Sequence, residues 1–226
     1  MFDLDGTIAS FNIDYMAVRS EVRSFLIGQD LPASVMAADE SIFDMLKKAE
    51  TYLNNNGKPE KVLREIRDKA LAIAEKYELE AARSTSLLPG VVAALKKMKK
   101  MGLKIGLCTV NSDRAASYIL KRFKIAEYFD VVVPRNGLRY VKPNSEHLEV
   151  TLKALGVGPE NAVLVGDGTR DMQCAKELKV IAVGLPTGAS SIDELIAHGA
   201  DYIVTSVADV PRLVGDIDRS AEKLNS

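Results

Sequence analysis

The spacing of hydrophobic positions changes along the chain and predicts two kinds of structure. Residues 13–83 follow a helical pattern throughout. The segment "IDYMAVRSEVRSFLIGQ" places Val18, Val22 and Leu26 on one stripe, as an amphipathic helix does. Two further segments follow the same pattern, "ASVMAADESIFDMLKKAETYLNNNG" with a closing Asn-Gly breaker and "PEKVLREIRDKALAIAEKYELEAAR" with proline in its first turn. No convincing strand is predicted in this stretch.

After "LLPG" the pattern changes to short β-branched runs that alternate with helical segments. The runs are "LKIGLCTV", "FDVVVP", "NAVLVGD", "KVIAVGL" and "DYIVTS". Their near-continuous hydrophobicity suits strands that are buried on both faces of a parallel sheet. With helices between them they predict a doubly wound, mostly parallel α/β sheet of the Rossmann-like kind. The opening "MFDL" is then the first strand, which gives a core of residues 1–11 and 88–226 and a helical insert of residues 12–87 that its linkers would let move as a lid.

Composition narrows the class of protein. The 226 residues are 47% hydrophobic and 27% charged, as in ordinary globular proteins. A net charge of -1 is not the excess positive charge that is typical of proteins binding nucleic acid or an anionic membrane. The chain has no apolar run of about 18 residues and no signal-like start. We therefore expect a cytoplasmic monomer or homodimer with neither nucleic acid nor membrane as a partner.

Cysteine and histidine point away from zinc, disulfide and His-based chemistry. Cys108 and Cys174 lie far apart in apolar settings, which favours small buried thiols over a disulfide or a metal pair. His147 and His198 are isolated from each other and from any Ser or Cys motif. Both are expected to be surface or helix-cap residues.

Polar residues follow the ends of several predicted strands. Ligands bind beyond the carboxyl ends of the strands in open parallel sheets, so these residues are the candidates for a site. They are Asp3 and Asp5 after the first strand, Thr109 and Asn111 after "IGLC", Lys142 in the loop "RYVKPN", and Asp167 and Asp171 after "VLVG".

The residue types in this set suit phosphate chemistry. Asp3 and Asp5 are two apart, so an extended backbone points both carboxylates the same way, where they would repel each other. Asp167 adds negative charge, and a divalent cation relieves the repulsion; carboxylates with water favour Mg²⁺. Lys142, the Thr109 hydroxyl and the backbone N–H groups after Asp5 and Thr109 would hold a phosphate dianion. One aspartate would then attack phosphorus while the other protonates the leaving oxygen.

These motifs resemble those of the haloacid dehalogenase-like hydrolase superfamily over nearly the whole chain. "DLDGT" is similar to its first motif, "LCTVNS" to its second, the lysine of "VKPNSEHL" to its third and "VGDGTRD" to its fourth. They occur in the family's order, with a helical insert between the first two, as in phosphoglycolate-phosphatase-like members with a C1 cap. Singly the motifs are weak or moderately specific, and together they are strong.

The resemblance implies roles for the catalytic residues. Asp3 would be the nucleophile that forms an aspartyl-phosphate. Asp5 would protonate the leaving alcohol and then activate water. Lys142 would neutralise the transferring phosphoryl group.

The resemblance also implies the metal-binding and phosphate-binding sets. Mg²⁺ would be held by the side chains of Asp3 and Asp167 and by the carbonyl of Asp5, with Asp171 in support. The phosphate-binding residues would be Gly6, Thr109, Val110, Asn111 and Lys142. Gly6 in addition suits a turn that needs a positive φ.

Two features depart from the family pattern. Position 168 is glycine where the family commonly has Ser or Asn, which removes one contact beside the metal. Only Met1 and Phe2 precede Asp3, fewer residues than a strand of about five or six. We therefore hypothesise that the true start lies upstream, or that the central strand is truncated and the protein less stable.

Several functions share these residues. The leading one is Mg²⁺-dependent hydrolysis of a small phosphorylated metabolite, with 2-phosphoglycolate as one candidate. A phosphomutase of the beta-phosphoglucomutase type would use the same catalytic groups. A phospho-accepting receiver domain is about half this length and has no helical insert. A catalytically silent interaction protein is disfavoured because an unused cluster of like charges is costly to keep near a low-dielectric site.

Overall fold

The computed structural model of the protein describes residues 1–10 and 12–224. The chain divides into two compact units, one of Met1–Asn12 with Thr85–Ser226 and the other of Ile13–Ser84. All the described strands belong to the first unit, and the second is helical. The fold class is thus α/β with an inserted helical segment, as the sequence pattern predicts. Among the described residues, every helix is too short or too polar to cross a lipid bilayer.

The helical unit contains three α-helices, α1 (Tyr15–Ile27), α2 (Ile42–Asn55) and α3 (Glu60–Ser84). Each of the first two begins where a polar side chain accepts a hydrogen bond from the free backbone N–H groups of the first turn. Asp14 accepts from Ala17 N at 3.0 Å, and Ser41 accepts from Asp44 N at 3.2 Å. Residues 33–41, which the pattern assigns to the second helix, form only a short 3-10 turn at Ala33–Val35, because the helix proper starts at the Ser41 cap.

The strands of the first unit are short and pair in parallel. They are β1 (Gly106–Cys108), β2 (Val131–Val133), β3 (Val163–Gly166), β4 (Ile181–Gly184) and β5 (Tyr202–Ile203). β1 pairs with β2, and β4 lies between β3 and β5. The described residues of β1, β3 and β4 are almost all buried, which explains their near-continuous hydrophobicity.

Phe2 joins these two groups of strands. It forms parallel bridges to Leu107 on one side and to Val165 on the other. Phe2 N donates to Gly106 O at 2.9 Å, and the next residue, Asp3, donates its N–H to Val165 O at 3.0 Å. The order across the sheet is therefore β2, β1, the Phe2 segment, β3, β4 and β5. Asp3 therefore directly follows the segment that lies in the middle of the sheet.

Six helices follow or separate the strands of this unit among the described residues. They are α4 (Val91–Lys100), α5 (Asp113–Arg122), α6 (Glu146–Leu155), α7 (Thr169–Leu178), α8 (Ile192–Ala197) and α9 (Val210–Leu224). α6 packs on β1 and β2, and α7 packs on β3 and β4. α4 packs against α9. This alternation of strands and helices produces the doubly wound sheet.

Candidate active site

Three acidic side chains meet at the carboxyl edge of the sheet. Asp3 follows the bridge residue Phe2, Asp167 follows β3, and Asp171 lies in the first turn of α7. One carboxylate oxygen from each lies within 4.8 Å of the other two. Parallel neighbours end at one edge, so the topology itself brings Asp3 to Asp167 although they are far apart in sequence.

Lys142 binds two of these three aspartates. Its Nζ donates to Asp3 Oδ1 at 2.8 Å and to Asp171 Oδ1 at 2.6 Å, and only 3% of its side chain is exposed. Burial alone would lower the pKa of Lys142, but the charges of Asp171 and Asp3 outweigh it and hold the pKa well above its usual value. The lysine is therefore a permanent cation in contact with Asp3.

The other carboxylates are crowded and buried. Burial, and then the negative charge of Asp3, raise the pKa of Asp167 to about 7. Burial also raises the pKa of Asp171 to about 6, against the opposing effect of Lys142. The cation of Lys142 thus does not balance the negative charge at this edge. A hard divalent cation would balance this charge, and a site in which every ligand atom is oxygen suits Mg²⁺.

Asp167 is held in place by hydrogen bonds to both of its oxygens. Thr7 Oγ1 donates to Oδ1 at 3.3 Å, and Ala189 N donates to Oδ2 at 2.7 Å. Gly168 N, the next amide along the chain, donates to Asp171 Oδ2 at 3.3 Å. Because this contact uses only the backbone of position 168, the glycine there leaves the support of Asp171 intact.

Asp5 and Gly6 form the turn that carries the chain away from Asp3. Asp5 is buried and bridges to Ala9. Gly6 has a φ of 73°, and a Cβ atom there would overlap the Asp167 carboxylate. Its N–H donates to Ala9 O at 2.7 Å. In this structure Gly6 therefore allows the close approach of the turn to Asp167, and its amide is engaged within the turn.

The loop after β1 holds the predicted phosphate-binding residues. Thr109 and Asn111 are buried, and Thr109 Oγ1 accepts from Asn111 N at 3.2 Å. Since the oxygen of the hydroxyl accepts this bond, its hydrogen is left to donate to a ligand. Val110 lies between them, and its carbonyl accepts from Arg135 Nη1 at 2.9 Å.

Arg135, which the sequence did not single out, supports the loop of the predicted phosphate-binding residues. It is buried, it follows β2, and its N–H donates to Asn111 O at 3.1 Å. Both contacts brace the loop of residues 109–111. The rule that identified the other candidates, a polar residue after an apolar strand, applies equally to "VVVPR" and would have found it.

The structure confirms the predictions for the two cysteines and for His198 and corrects the one for His147. Cys108 and Cys174 are both free and buried, as predicted. His198 caps α8, also as predicted, but the expectation for His147 was wrong. His147 is fully buried, because it lies on the face of α6 that packs on β1 and β2.

Comparison with known proteins identifies the family. Residues 1–185 match the family model described as haloacid dehalogenase-like hydrolase. The chain is 26% identical over 234 residues to the pyrophosphatase PpaX of Bacillus cereus strain AH820, with 97% of each chain covered.

Solved structures share the fold. One is described as a predicted phosphoglycolate phosphatase from Haemophilus somnus 129pt, with a TM-score of 0.61, 19% identity, and 94% of this chain and 95% of that chain covered. Another, from Thermotoga maritima, is provisionally described as a beta-phosphoglucomutase, with a TM-score of 0.59, 21% identity, and 96% and 97% covered. Because the family model matches residues 1–185, most of the sequence, the chain belongs to the haloacid dehalogenase-like hydrolases.

Proposed function

We propose that the protein is a Mg²⁺-dependent phosphatase that hydrolyses a small phosphorylated metabolite through an aspartyl-phosphate on Asp3. The observation that carries the proposal is the contact of Lys142 with Asp3, beside the buried carboxylates of Asp167 and Asp171. The proposed nucleophile would thereby have a buried cation and a set of oxygen ligands beside it at one sheet edge. Acyl-phosphate chemistry needs these three components together.

In the first step an Asp3 carboxylate oxygen forms a bond to phosphorus as the bond from phosphorus to the ester oxygen breaks. Asp5 gives its proton to that oxygen, so the product leaves as a neutral alcohol. Lys142, bonded to Asp3 Oδ1, orients the nucleophile and offsets charge on the transferring group. The phosphoryl group is then held on Asp3.

In the second step water attacks phosphorus, and the bond from phosphorus to Asp3 breaks. Asp5, now a carboxylate, takes the proton from the attacking water. Inorganic phosphate leaves, and Asp3 is again a carboxylate. The Thr109 hydroxyl and the N–H of Val110 would hold the phosphate oxygens during both steps, with Asn111 supporting the loop.

The residues present fit a magnesium ion. Asp3 and Asp167 would hold it through their side chains and Asp5 through its carbonyl, while Asp171 holds Lys142 in place. When bound, the ion supplies positive charge that lets the carboxylates and the substrate phosphate remain ionised together.

The substrate class is a small phosphorylated metabolite, and 2-phosphoglycolate is one candidate. The likeness to a protein named pyrophosphatase makes inorganic pyrophosphate a second candidate, since the same attack on phosphorus would then release phosphate. A screen of phosphate release over small phosphorylated metabolites and pyrophosphate, with Mg²⁺, tests the proposal. Asp3→Asn should lose at least ~10³-fold in turnover, and near-normal activity of that variant would refute the mechanism.

A phosphomutase is the second candidate function, because it would use the same catalytic groups and the chain shares its fold with the Thermotoga maritima protein provisionally described as a beta-phosphoglucomutase. A mutase protects its aspartyl-phosphate from water and returns the phosphoryl group to a sugar phosphate. Release of inorganic phosphate without an added sugar bisphosphate supports the phosphatase. Turnover that needs the bisphosphate and conserves the phosphoryl group supports the mutase.

A further inference from the structure

His147, a buried histidine five residues after Lys142, takes no part in the chemistry assigned above. His147 is in the first turn of α6 and has no exposed surface. Its Nε2 lies 3.0 Å from the carbonyl oxygen of Val133. A carbonyl can only accept, so Nε2 carries the hydrogen. Nδ1 has no hydrogen-bond partner within the described part of the chain.

The imidazole of His147 is neutral at neutral pH. Burial, together with the positive charge of Lys142, lowers its pKa to about 4. A buried ring nitrogen without a hydrogen bond destabilises the folded protein, because on folding it loses its hydrogen bonds to water and gains none in return.

The carbonyl of Val133 that His147 binds also accepts from Thr109 N at 3.1 Å. Val133 is the last residue of β2, and Thr109 begins the loop that would bind phosphate. One carbonyl thus connects the start of α6 with the start of that loop.

The start of α6 is also hydrogen-bonded to the end of β1, the strand that precedes the Thr109 loop. The carbonyl of His147 accepts from Thr151 Oγ1 at 2.9 Å and from Cys108 Sγ at 3.8 Å. Cys108 directly precedes Thr109. The segment before the helix is held in turn, since Asn144 O accepts from Cys174 Sγ at 3.4 Å. Lys142 lies two residues before Asn144, so these bonds fix the turn that presents the lysine.

We infer that His147 is a positioning residue, whose Nε2–H bond to Val133 O sets the Lys142 turn in register with the Thr109 loop. This inference rests on the proposed function, because in that function the Lys142 turn and the Thr109 loop contact the same phosphoryl group. Without the bond, α6 and β2 keep their apolar contact but lose the hydrogen bond that His147 makes to Val133 O, the carbonyl that also accepts from Thr109 N. A misplacement of a reacting group by about 1 Å can lower turnover by about 100-fold.

Two variants separate the hydrogen bond from the packing. His147→Leu fills the space without a donor, and His147→Gln keeps an N–H donor near the position of Nε2. On the best substrate of the phosphate screen, His147→Leu should lower kcat about tenfold or more, and His147→Gln should keep most of the wild-type value. Leu152→Ala, a cavity variant at a buried position of the same helix, is the control: it should lower Tm and leave the kcat of the folded enzyme near wild type.

A readout without activity separates this inference from the proposed function. Hydrogen exchange of the Thr109 amide should be slow in the wild type, faster in His147→Leu, and slow again in His147→Gln. The Val165 amide, which donates to Met1 O at 2.9 Å on the other side of Phe2, is the internal reference. If His147→Leu lowers Tm but leaves Thr109 exchange and kcat unchanged, the residue is structural and the inference is wrong. If exchange responds while the wild type releases no phosphate from any substrate, the proposed function fails and the positioning contact stands.

Discussion

Lys142 Nζ lies 2.8 Å from Asp3 Oδ1, although the two residues are 139 positions apart in the chain. The sheet order explains the contact, since Asp3 leaves the central position and the Lys142 loop follows β2 on the same edge. The lysine is also bonded to Asp171, so it links two carboxylates that would otherwise repel each other. We therefore expect the contact to have both a catalytic and a structural consequence.

Lys142→Met should remove activity and destabilise the metal-free protein. Loss of the cation leaves Asp171 buried without its cationic partner, which costs about 3–5 kcal/mol in the free energy of unfolding. Urea unfolding in EDTA at neutral pH measures the loss. Adding Asp171→Asn to Lys142→Met should restore part of the stability and none of the turnover. A single variant with wild-type turnover would show that the lysine has no role in the chemistry.

Asp5→Asn should separate the two chemical steps. An aryl phosphate has a leaving group that departs without a proton, so its phosphoryl transfer to Asp3 needs the acid little. Attack by water still needs a base and should slow by about 10²- to 10⁴-fold. Rapid-quench measurement should show a burst of aryl alcohol followed by slow turnover. Slow release from the first turnover onward would argue against the two-step role of Asp5.

The metal-free protein should lose stability as the pH rises towards neutrality. In the folded state Asp167 has a pKa raised from 3.8 to about 7, so between these values the native state binds more protons than the unfolded state. The free energy of unfolding then falls with rising pH, by at most about 1.4 kcal/mol per pH unit for one proton. Asp167→Asn does not titrate and should show a shallower slope in EDTA between about pH 5 and 7.5.

Magnesium should reverse this trend, because the ion binds the ionised carboxylates. The rise in Tm on adding Mg²⁺ should be larger at pH 7.5 than at pH 5, and absent in Asp167→Asn. Equal slopes for the two proteins in EDTA would contradict the raised pKa of Asp167, and an equal Mg²⁺ response would contradict its assignment as a ligand.

Gly6→Ala should weaken Mg²⁺ binding as well as the fold. A left-handed φ of 73° costs a non-glycine residue about 1–3 kcal/mol, and the new methyl group would displace Asp167. Gly102→Ala is a matched control, because Gly102 has a φ of 76° and open space around its Cβ position. Both variants should lose stability in urea, and only Gly6→Ala should need more Mg²⁺ for half-maximal stabilisation. Similar Mg²⁺ requirements would show that the turn does not position Asp167.

The sequence was sufficient to predict the architecture and which aspartates lie at the carboxyl edge of the sheet. Buried parallel strands have a recognisable apolar pattern, and their carboxyl ends lie at one edge, so Asp3, Thr109 and Asp167 followed from position alone. The direct bond of Asp171 to Lys142 did not follow. An aspartate in the first turn of a helix is common for reasons of the helix dipole, so its side chain carried no specific signal.

Backbone donors and buried polar residues were harder to predict. Ala189 binds Asp167 through its N–H, and an alanine offers no side-chain chemistry to recognise. His147 was expected to be a surface or helix-cap residue because it is isolated from the other histidine and from any Ser or Cys motif. Its burial depends on how α6 docks against β2, which is a tertiary property that the local pattern does not encode.

Trapping the covalent intermediate tests the central claim most directly. Enzyme mixed with Mg²⁺ and substrate, quenched and reduced with borohydride, should yield a peptide in which Asp3 has become homoserine, because an acyl-phosphate is reduced where a free carboxylate is not. Enzyme without substrate, and Asp3→Asn with substrate, should give no homoserine. Steady phosphate release together with an unmodified Asp3, or homoserine at another aspartate, would contradict the account.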